Sequence, residues 1–205
     1  MDIFVSRPTW VSSEFEEGLS TFMIQLENLE LTPRTLGVTD YPSKAPLDEI
    51  IEILSSCQGA IILGYPQLEV QSGILKGIEL KESLHLSTEW NHIEAALAYS
   101  MKMPILIIHH STVNRGIFDR GVLNAFLHGV DLTSPNWSMQ PSLNGALNNW
   151  KNSCVNRTPN YLGATQQVAS KSSRNKPTCP NCSTNQKVIY RANCKTLGEI
   201  FRYKP

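Results

Sequence analysis

GAIILG, at residues 59–64, is an almost unbroken apolar run bounded by a glycine at each end. A strand covered on both faces needs apolar side chains on both, so this run predicts a fully buried strand of a parallel sheet. PILII, at residues 104–108, has the same character. A shorter apolar strand is predicted at residues 3–6, where Arg7 and Pro8 end it. These three segments predict the centre of one buried sheet.

Helical patterns separate the predicted strands. Apolar side chains recur at helical spacing from Phe15 to Leu26, and Pro46 suits the first turn of a second helix. A third predicted helix is capped by Ser87 or Thr88 and buries Ile93, Ala96, Leu97 and Met101. Further helices are predicted from Asp119 to Leu127 and at 143–150, and further strands at 29–36 and 130–132. Strands that alternate with helices predict an α/β, flavodoxin-like three-layer fold with a parallel five-stranded sheet. The polar insertion at residues 65–87 is long enough to be functional or to hold structure of its own.

Charge is divided sharply along the chain. The 205 residues have a formal net charge of zero, but residues 1–150 contain 8 Lys+Arg against 17 Asp+Glu. Residues 151–205 contain 10 Lys+Arg and a single acid, Glu199. Such a split indicates regions with different roles. We predict an α/β domain at 1–152, a linker rich in Ser, Gln, Lys and Asn at 153–178, and a small basic tail with cysteines at 179–205.

The basic tail suggests two kinds of partner. Cys179 and Cys182 have the spacing of half a zinc site, which Cys154 and Cys194 would complete as four thiolates. A metal-free tail or the remnant of a zinc ribbon is the alternative. Basic residues interleaved with tyrosines suit nucleic acid, but a solvated, flexible terminus would collect the same residues.

The sequence argues against a membrane protein and against a secreted one. The chain has no stretch near the roughly 18 apolar residues that a membrane span needs. The chain enters an apolar strand without the basic region that begins a signal peptide, and its five cysteines are too few and too unevenly placed for a secreted disulfide scaffold. The sequence therefore predicts a cytoplasmic protein without a membrane partner.

Ligands of open parallel sheets bind outside the carboxyl ends of the strands. Ser6 and Arg7 follow the first predicted strand, Tyr65 follows the third, and His109 ends the fourth. A guanidinium suits phosphates, and a tyrosine ring can stack on a flat base. His109 is a candidate acid or base, and its alternative role is a hydrogen bond at the strand end. We predict that all four lie at the substrate site.

Arg115 belongs to the same edge of the predicted sheet. It lies in a loop that leads to a predicted helix, where backbone amides and its guanidinium can receive an anion. The alternative is that Asp119 only caps that helix. The chain has no Walker motif and no glycine-rich dinucleotide fingerprint, so phosphate binding of those kinds is not predicted.

STEWNHIE, at residues 87–94, is the most informative stretch for chemistry. Trp90 and Glu94 are four residues apart and therefore share a helix face. A ring beside a carboxylate is a good arrangement for holding a sugar or a base. Spacing alone also allows Trp90 to pack in the core with Glu94 in solvent.

This stretch resembles the third-helix region of TIR domains, in which a serine and a tryptophan precede a glutamate. Here these residues are Ser87, Trp90 and Glu94, followed by the apolar strand at 104–108. The layout is also similar to that of nucleoside 2-deoxyribosyltransferases. The resemblance covers residues 1–132 in layout and about 20 residues closely. The sequence departs from the TIR pattern at Asn91, where a small residue is usual, and in the loop after the first strand, which lacks the common acid.

The resemblance implies cleavage of an N-glycosidic bond, with NAD as the substrate and no cofactor. Glu94 would hold the ribose and stabilise its positive charge, and bacterial immunity or signalling would be the setting. The resemblance to the transferases implies a glycosyl-bond enzyme in which Glu94 is the nucleophile. A non-catalytic TIR-type assembly module is the third possibility. TIR-like enzymes commonly self-associate, so a homo-oligomer is expected.

Overall fold

The computed structural model describes residues 1–123 and 125–157. Its first half follows the predicted alternation of strands and helices. The elements are β1 (Asp2–Ser6), α1 (Ser13–Asn28), β2 (Thr32–Arg34), α2 (Pro46–Ser56) and β3 (Ala60–Gly64). β2 is shorter than the predicted strand at 29–36, and its Pro33 is tolerated because β2 lies at the edge of the sheet.

The insertion at 65–87 forms two small antiparallel pairs rather than a plain loop. β4 (Leu68–Val70) pairs with β7 (Leu84–Leu86), and β5 (Ile74–Leu75) pairs with β6 (Ile78–Glu79) inside them. The connection between the inner strands is Lys76-Gly77, with φ of 51° and 80°. Two positive φ values are what a tight hairpin turn of the favoured hand requires. The insertion is therefore a nested hairpin.

The second half completes the sheet. It contains α3 (Glu89–Ser100), β8 (Ile105–His110), β9 (Phe126–Val130) and α4 (Pro141–Val155). The five-stranded sheet has the order β2-β1-β3-β8-β9 with every pair parallel, which confirms the predicted α/β class. The order reverses between β1 and β3, and ligands of such sheets bind at that reversal.

The predicted helix from Asp119 to Leu127 is wrong. Gly121 has a φ of 87° within a run of turns, and β9 begins at Phe126 and pairs with β8. Apolar residues at 122, 123, 126 and 127 fit a helical face, but the last two lie on a strand. The predicted last strand at 130–132 therefore begins four residues earlier.

Two apolar clusters lie on the two faces of the sheet. One joins α1 and α4 to alternate residues of the central strands, such as Val5, Ile61 and Leu106. The other joins α2 and α3 to the intervening residues, such as Phe4 and Ile62. This alternation gives the predicted three layers. Among the residues that the structure describes, no helix is long and apolar enough to cross a membrane.

Candidate active site

Helix α3 carries Glu94 to the reversal point of the sheet. Thr88 is its N-cap, and the Thr88 hydroxyl accepts a hydrogen bond from the backbone N–H of Asn91. The buried residues of the helix are Asn91, Glu94, Ala95 and Ala98. The predicted buried face of Ile93, Ala96, Leu97 and Met101 is correct only in part. Leu97 and Met101 are half-buried and pack against the apolar cluster, but Ile93 and Ala96 are exposed, and small and polar side chains hold the fully buried positions.

The alternative arrangement, with Trp90 in the core and Glu94 in solvent, is wrong, because the structure buries Glu94 and exposes Trp90. Glu94 is 8% exposed and Trp90 is 43% exposed. The carboxylate therefore lies in the protein interior beside a ring that is open to solvent.

Glu94 faces a cleft of about 410 Å³. The cleft lies between the loop after β1, the start of α2 and the start of α3. Its walls include two charged side chains, Arg7 and Glu94, and two tryptophans, Trp10 and Trp90. The other wall residues are the polar Thr9, Gln67 and Thr88, and Pro8, Leu36, Gly37, Pro42, Pro46 and Ile50. Among these walls Glu94 is the only acid.

Burial controls the ionisation of Glu94. Loss of hydration raises the pKa of its carboxyl to about 7, and the nearby hydroxyl of Ser6 opposes that rise. A carboxylate with a pKa near neutral pH, in a cleft, marks a functional-site candidate. The protein bears an energetic penalty whenever Glu94 is charged.

Arg7 brings a cation to the same cleft. One terminal nitrogen, Nη1, donates to the carbonyl of Pro8 at 3.2 Å, and the buried Nε has no hydrogen-bond partner in residues 1–123 and 125–157. Within the described part of the chain, Arg7 forms no ion pair. Burial lowers the pKa of Arg7, since the guanidinium loses hydration there. An anionic group in the cleft would supply the missing partner.

Trp10 was missed by the sequence analysis. It is 67% exposed and shares the cleft with Trp90. The rule that ligands bind beyond the carboxyl ends of strands could have identified it, because Trp10 lies in the loop that follows β1. Two exposed rings beside one carboxylate give the cleft surfaces on which a flat base can stack.

Ser6, the last residue of β1, is 1% exposed and is not among the residues that line the cleft. Its hydroxyl accepts a hydrogen bond of 2.7 Å from the side-chain amide of Asn91. Ser6 therefore contacts α3 rather than open solvent.

Tyr65 is not among the residues that line the cleft. It is fully buried, and its ring packs edge-on against Phe15 with centroids 5.4 Å apart. Its hydroxyl has no hydrogen-bond partner among the residues that the structure describes, and burial raises the pKa of Tyr65. The geometry gives no support to its predicted stacking role.

His109 and Arg115 also lie outside the cleft walls. His109 is 7% exposed, its ring packs against Phe118, and its Nδ1 lies 3.0 Å from the carbonyl oxygen of His110. This contact fits the alternative role at the strand end. Arg115 precedes the short 3₁₀ turn at Gly116–Phe118, which packs against α3.

The predicted zinc ligands cannot all be placed. Cys154 is fully buried in the apolar cluster between the sheet and α4, and burial raises the pKa of its thiol to about 12. A thiol held protonated in an apolar setting is a poor metal ligand. Cys179, Cys182 and Cys194 lie outside the described residues, as do the predicted tail and most of the predicted linker.

No family model and no curated protein matches the chain. Among solved structures, the chain is similar to a CMP N-glycosidase of Clostridium botulinum, BcmB, at 14% sequence identity and a TM-score of 0.43. The similarity covers 68% of this chain and 95% of the other. A likeness at this level carries no conclusion about activity.

Proposed function

We propose that this protein cleaves the N-glycosidic bond between nicotinamide and ribose in NAD. The observation that carries the proposal is Glu94, a buried carboxylate that faces a cleft lined by two exposed tryptophans. Breaking this bond leaves positive charge on the ribose. A carboxylate held at low dielectric stabilises that charge, or attacks the same carbon to form a covalent intermediate.

The number of acids in the cleft favours a cationic leaving group. A neutral base departs well only if a second group protonates it. Glu94 is the only acid on the described cleft walls, and no histidine lines them. A pyridinium needs no proton, since the electron pair of the broken bond neutralises its ring nitrogen. This difference supports NAD over an ordinary nucleoside.

Arg7 and the tryptophans fit the rest of such a substrate. The guanidinium of Arg7, which has no ion pair among the described residues, suits a pyrophosphate, and Trp90 or Trp10 offers a face to the base. Water then adds to the ribosyl carbon and loses a proton. The balanced products are nicotinamide, ADP-ribose and one proton.

The proposal is tested by incubating the concentrated full-length protein with NAD and separating the products by chromatography. Release of nicotinamide is the expected result. A parallel reaction holds a deoxynucleoside and a second free base. Base exchange there, with NAD intact, would overturn the proposal in favour of a transferase. No product in either reaction from folded, self-associated protein would point to an assembly module.

Replacement of Arg7 by Ala is expected to raise the KM for NAD by roughly 10- to 100-fold, the effect of losing one charge-assisted contact. Nicotinamide riboside lacks phosphate, so its turnover should change much less. Steady-state kinetics with both substrates measures the difference. Arg115→Ala is the matched comparison, because Arg115 is an arginine outside the cleft walls. Equal losses on the two substrates, or an equal loss in Arg115→Ala, would contradict a phosphate contact at Arg7.

A further inference from the structure

Two side-chain hydrogen bonds link the N-cap of α3 through Asn91 to Ser6, and Glu94 lies about one turn after Asn91 on the buried face of the same helix. The hydroxyl of Thr88 donates to Oδ1 of Asn91 at 3.0 Å, and Nδ2 of Asn91 donates to Oγ of Ser6 at 2.7 Å. Asn91 and Ser6 are each 1% exposed. The two residues are 85 positions apart, so this contact ties α3 to the end of β1.

The direction of each bond follows from what the groups can donate. Thr88 gives its single hydroxyl proton to Oδ1, which fixes the Asn91 amide with Nδ2 toward Ser6. Ser6 accepts from that amide and still has its own proton to give. Asn91 holds this hydroxyl against the buried face of α3, three residues before Glu94. The Ser6 hydroxyl lowers the pKa of Glu94, as a hydrogen bond to the charged carboxylate does.

We propose that Asn91 is a positioning residue that, oriented by Thr88, directs the hydroxyl proton of Ser6 onto the carboxylate of Glu94. The proposal rests on the proposed function for its significance, since it is the ionised form of Glu94 that would meet the substrate. An amide turned the other way would take the Ser6 proton for itself and leave Glu94 without it.

Other charged groups around Glu94 do not provide this control. Arg7 shares the cleft, and from α2 only Pro46 and Ile50 reach its walls, while Asp48 and Glu52 of that helix are exposed. On β8 the ring of His109 packs against Phe118, and His110 pairs with Asp131. Arg115 and Asp119 flank the 3₁₀ turn that packs on α3 and lie outside the cleft walls. Burial raises the pKa of Glu94, and the Ser6 hydroxyl lowers it.

The test is a direct titration of the Glu94 carboxyl by ¹³C NMR in the full-length protein. Its signal is assigned by its loss in Glu94→Gln. Ser6→Ala is expected to raise the pKa of Glu94 by about one pH unit, the effect of losing one hydrogen bond to a charged group. Asn91→Leu should raise it in the same direction, and adding Asn91→Leu to Ser6→Ala should give little further change.

Substitutions at Thr88 provide a second route if Asn91→Leu does not fold. Thr88→Val keeps the shape but loses the hydroxyl and should raise the pKa of Glu94, whereas Thr88→Ser keeps the hydroxyl and should restore the wild-type value. Ser100→Ala removes a hydroxyl at the far end of α3 and should leave the pKa unchanged. An unchanged pKa in Asn91→Leu or Thr88→Val, or shifts that add fully with Ser6→Ala, would overturn the proposal. The titration needs no substrate, so inactivity toward NAD would refute the proposed function and still decide the role of Asn91.

Discussion

Glu94→Gln is expected to reduce the release of nicotinamide from NAD by about 10³-fold, the loss seen when one preorganised electrostatic contact to a transition state is removed. Gln has nearly the same shape but no charge. It can hold a ribose hydroxyl but cannot stabilise positive charge or attack carbon. The loss should therefore fall mainly on kcat, with a smaller change in KM.

The matched control is Glu89→Gln. Glu89 lies in the first turn of the same helix, is exposed, and is not a wall of the cleft. The Glu89→Gln variant should retain wild-type turnover, measured by chromatography of nicotinamide at saturating NAD. Turnover of Glu94→Gln within a few-fold of the wild type would remove Glu94 from the chemistry.

The sequence predicts the centre of the fold well because buried parallel strands leave a strong local signal. GAIILG and PILII are apolar on both faces and occupy neighbouring positions as β3 and β8. Arg7 was also predictable at the site, because ligand-binding residues of such sheets follow the carboxyl ends of strands. A rule about topology thus placed a cleft residue before any side-chain geometry was known.

Apolar spacing predicted the buried face of α3 only in part, since it found Leu97 and Met101 but not the fully buried positions. Ala95 and Ala98 pack toward the sheet, and Asn91 and Glu94 share their face, while Ile93 is 39% exposed. A periodicity argument assigns the largest apolar side chains to the core, and here the helix buries small and polar ones. Such a conflict between local pattern and structure is expected where a functional group is held in place. The resemblance to TIR domains drew attention to Glu94, but its burial is a property of the folded chain.

Tyr65 illustrates the opposite error. The topological rule selects residues by where a strand ends and does not say to which face the next side chain turns. Tyr65 follows β3 as Arg7 follows β1, yet its ring enters the cluster with Phe15. Trp10 was missed because it lies further along a loop whose path has no periodic signal.

Glu94→Gln is also expected to gain stability over the wild type as the pH rises: the difference between the two free energies of unfolding should shift in favour of the variant by about 3 kcal/mol from pH 4.5 to pH 8. Burial raises the pKa of Glu94 from 4.5 to about 7 in the folded protein. A folded-state pKa above the unfolded value means that the protonated form favours folding below 4.5, and that this contribution is lost as pH rises toward 7. Gln does not titrate, so the two free energies of unfolding should diverge across that window.

Urea denaturation at pH 4.5, 6 and 8 measures this divergence, with Glu89→Gln as the exposed control. Subtracting each variant from the wild type cancels the groups that both proteins share. A constant difference across the three pH values would mean that the charge of Glu94 is not buried. If Glu94→Gln both gains stability at pH 8 and loses turnover, both effects come from removal of the same buried charge. The buried charge that burdens the fold is the charge that the proposed reaction uses, and a residue kept only for packing would show neither effect.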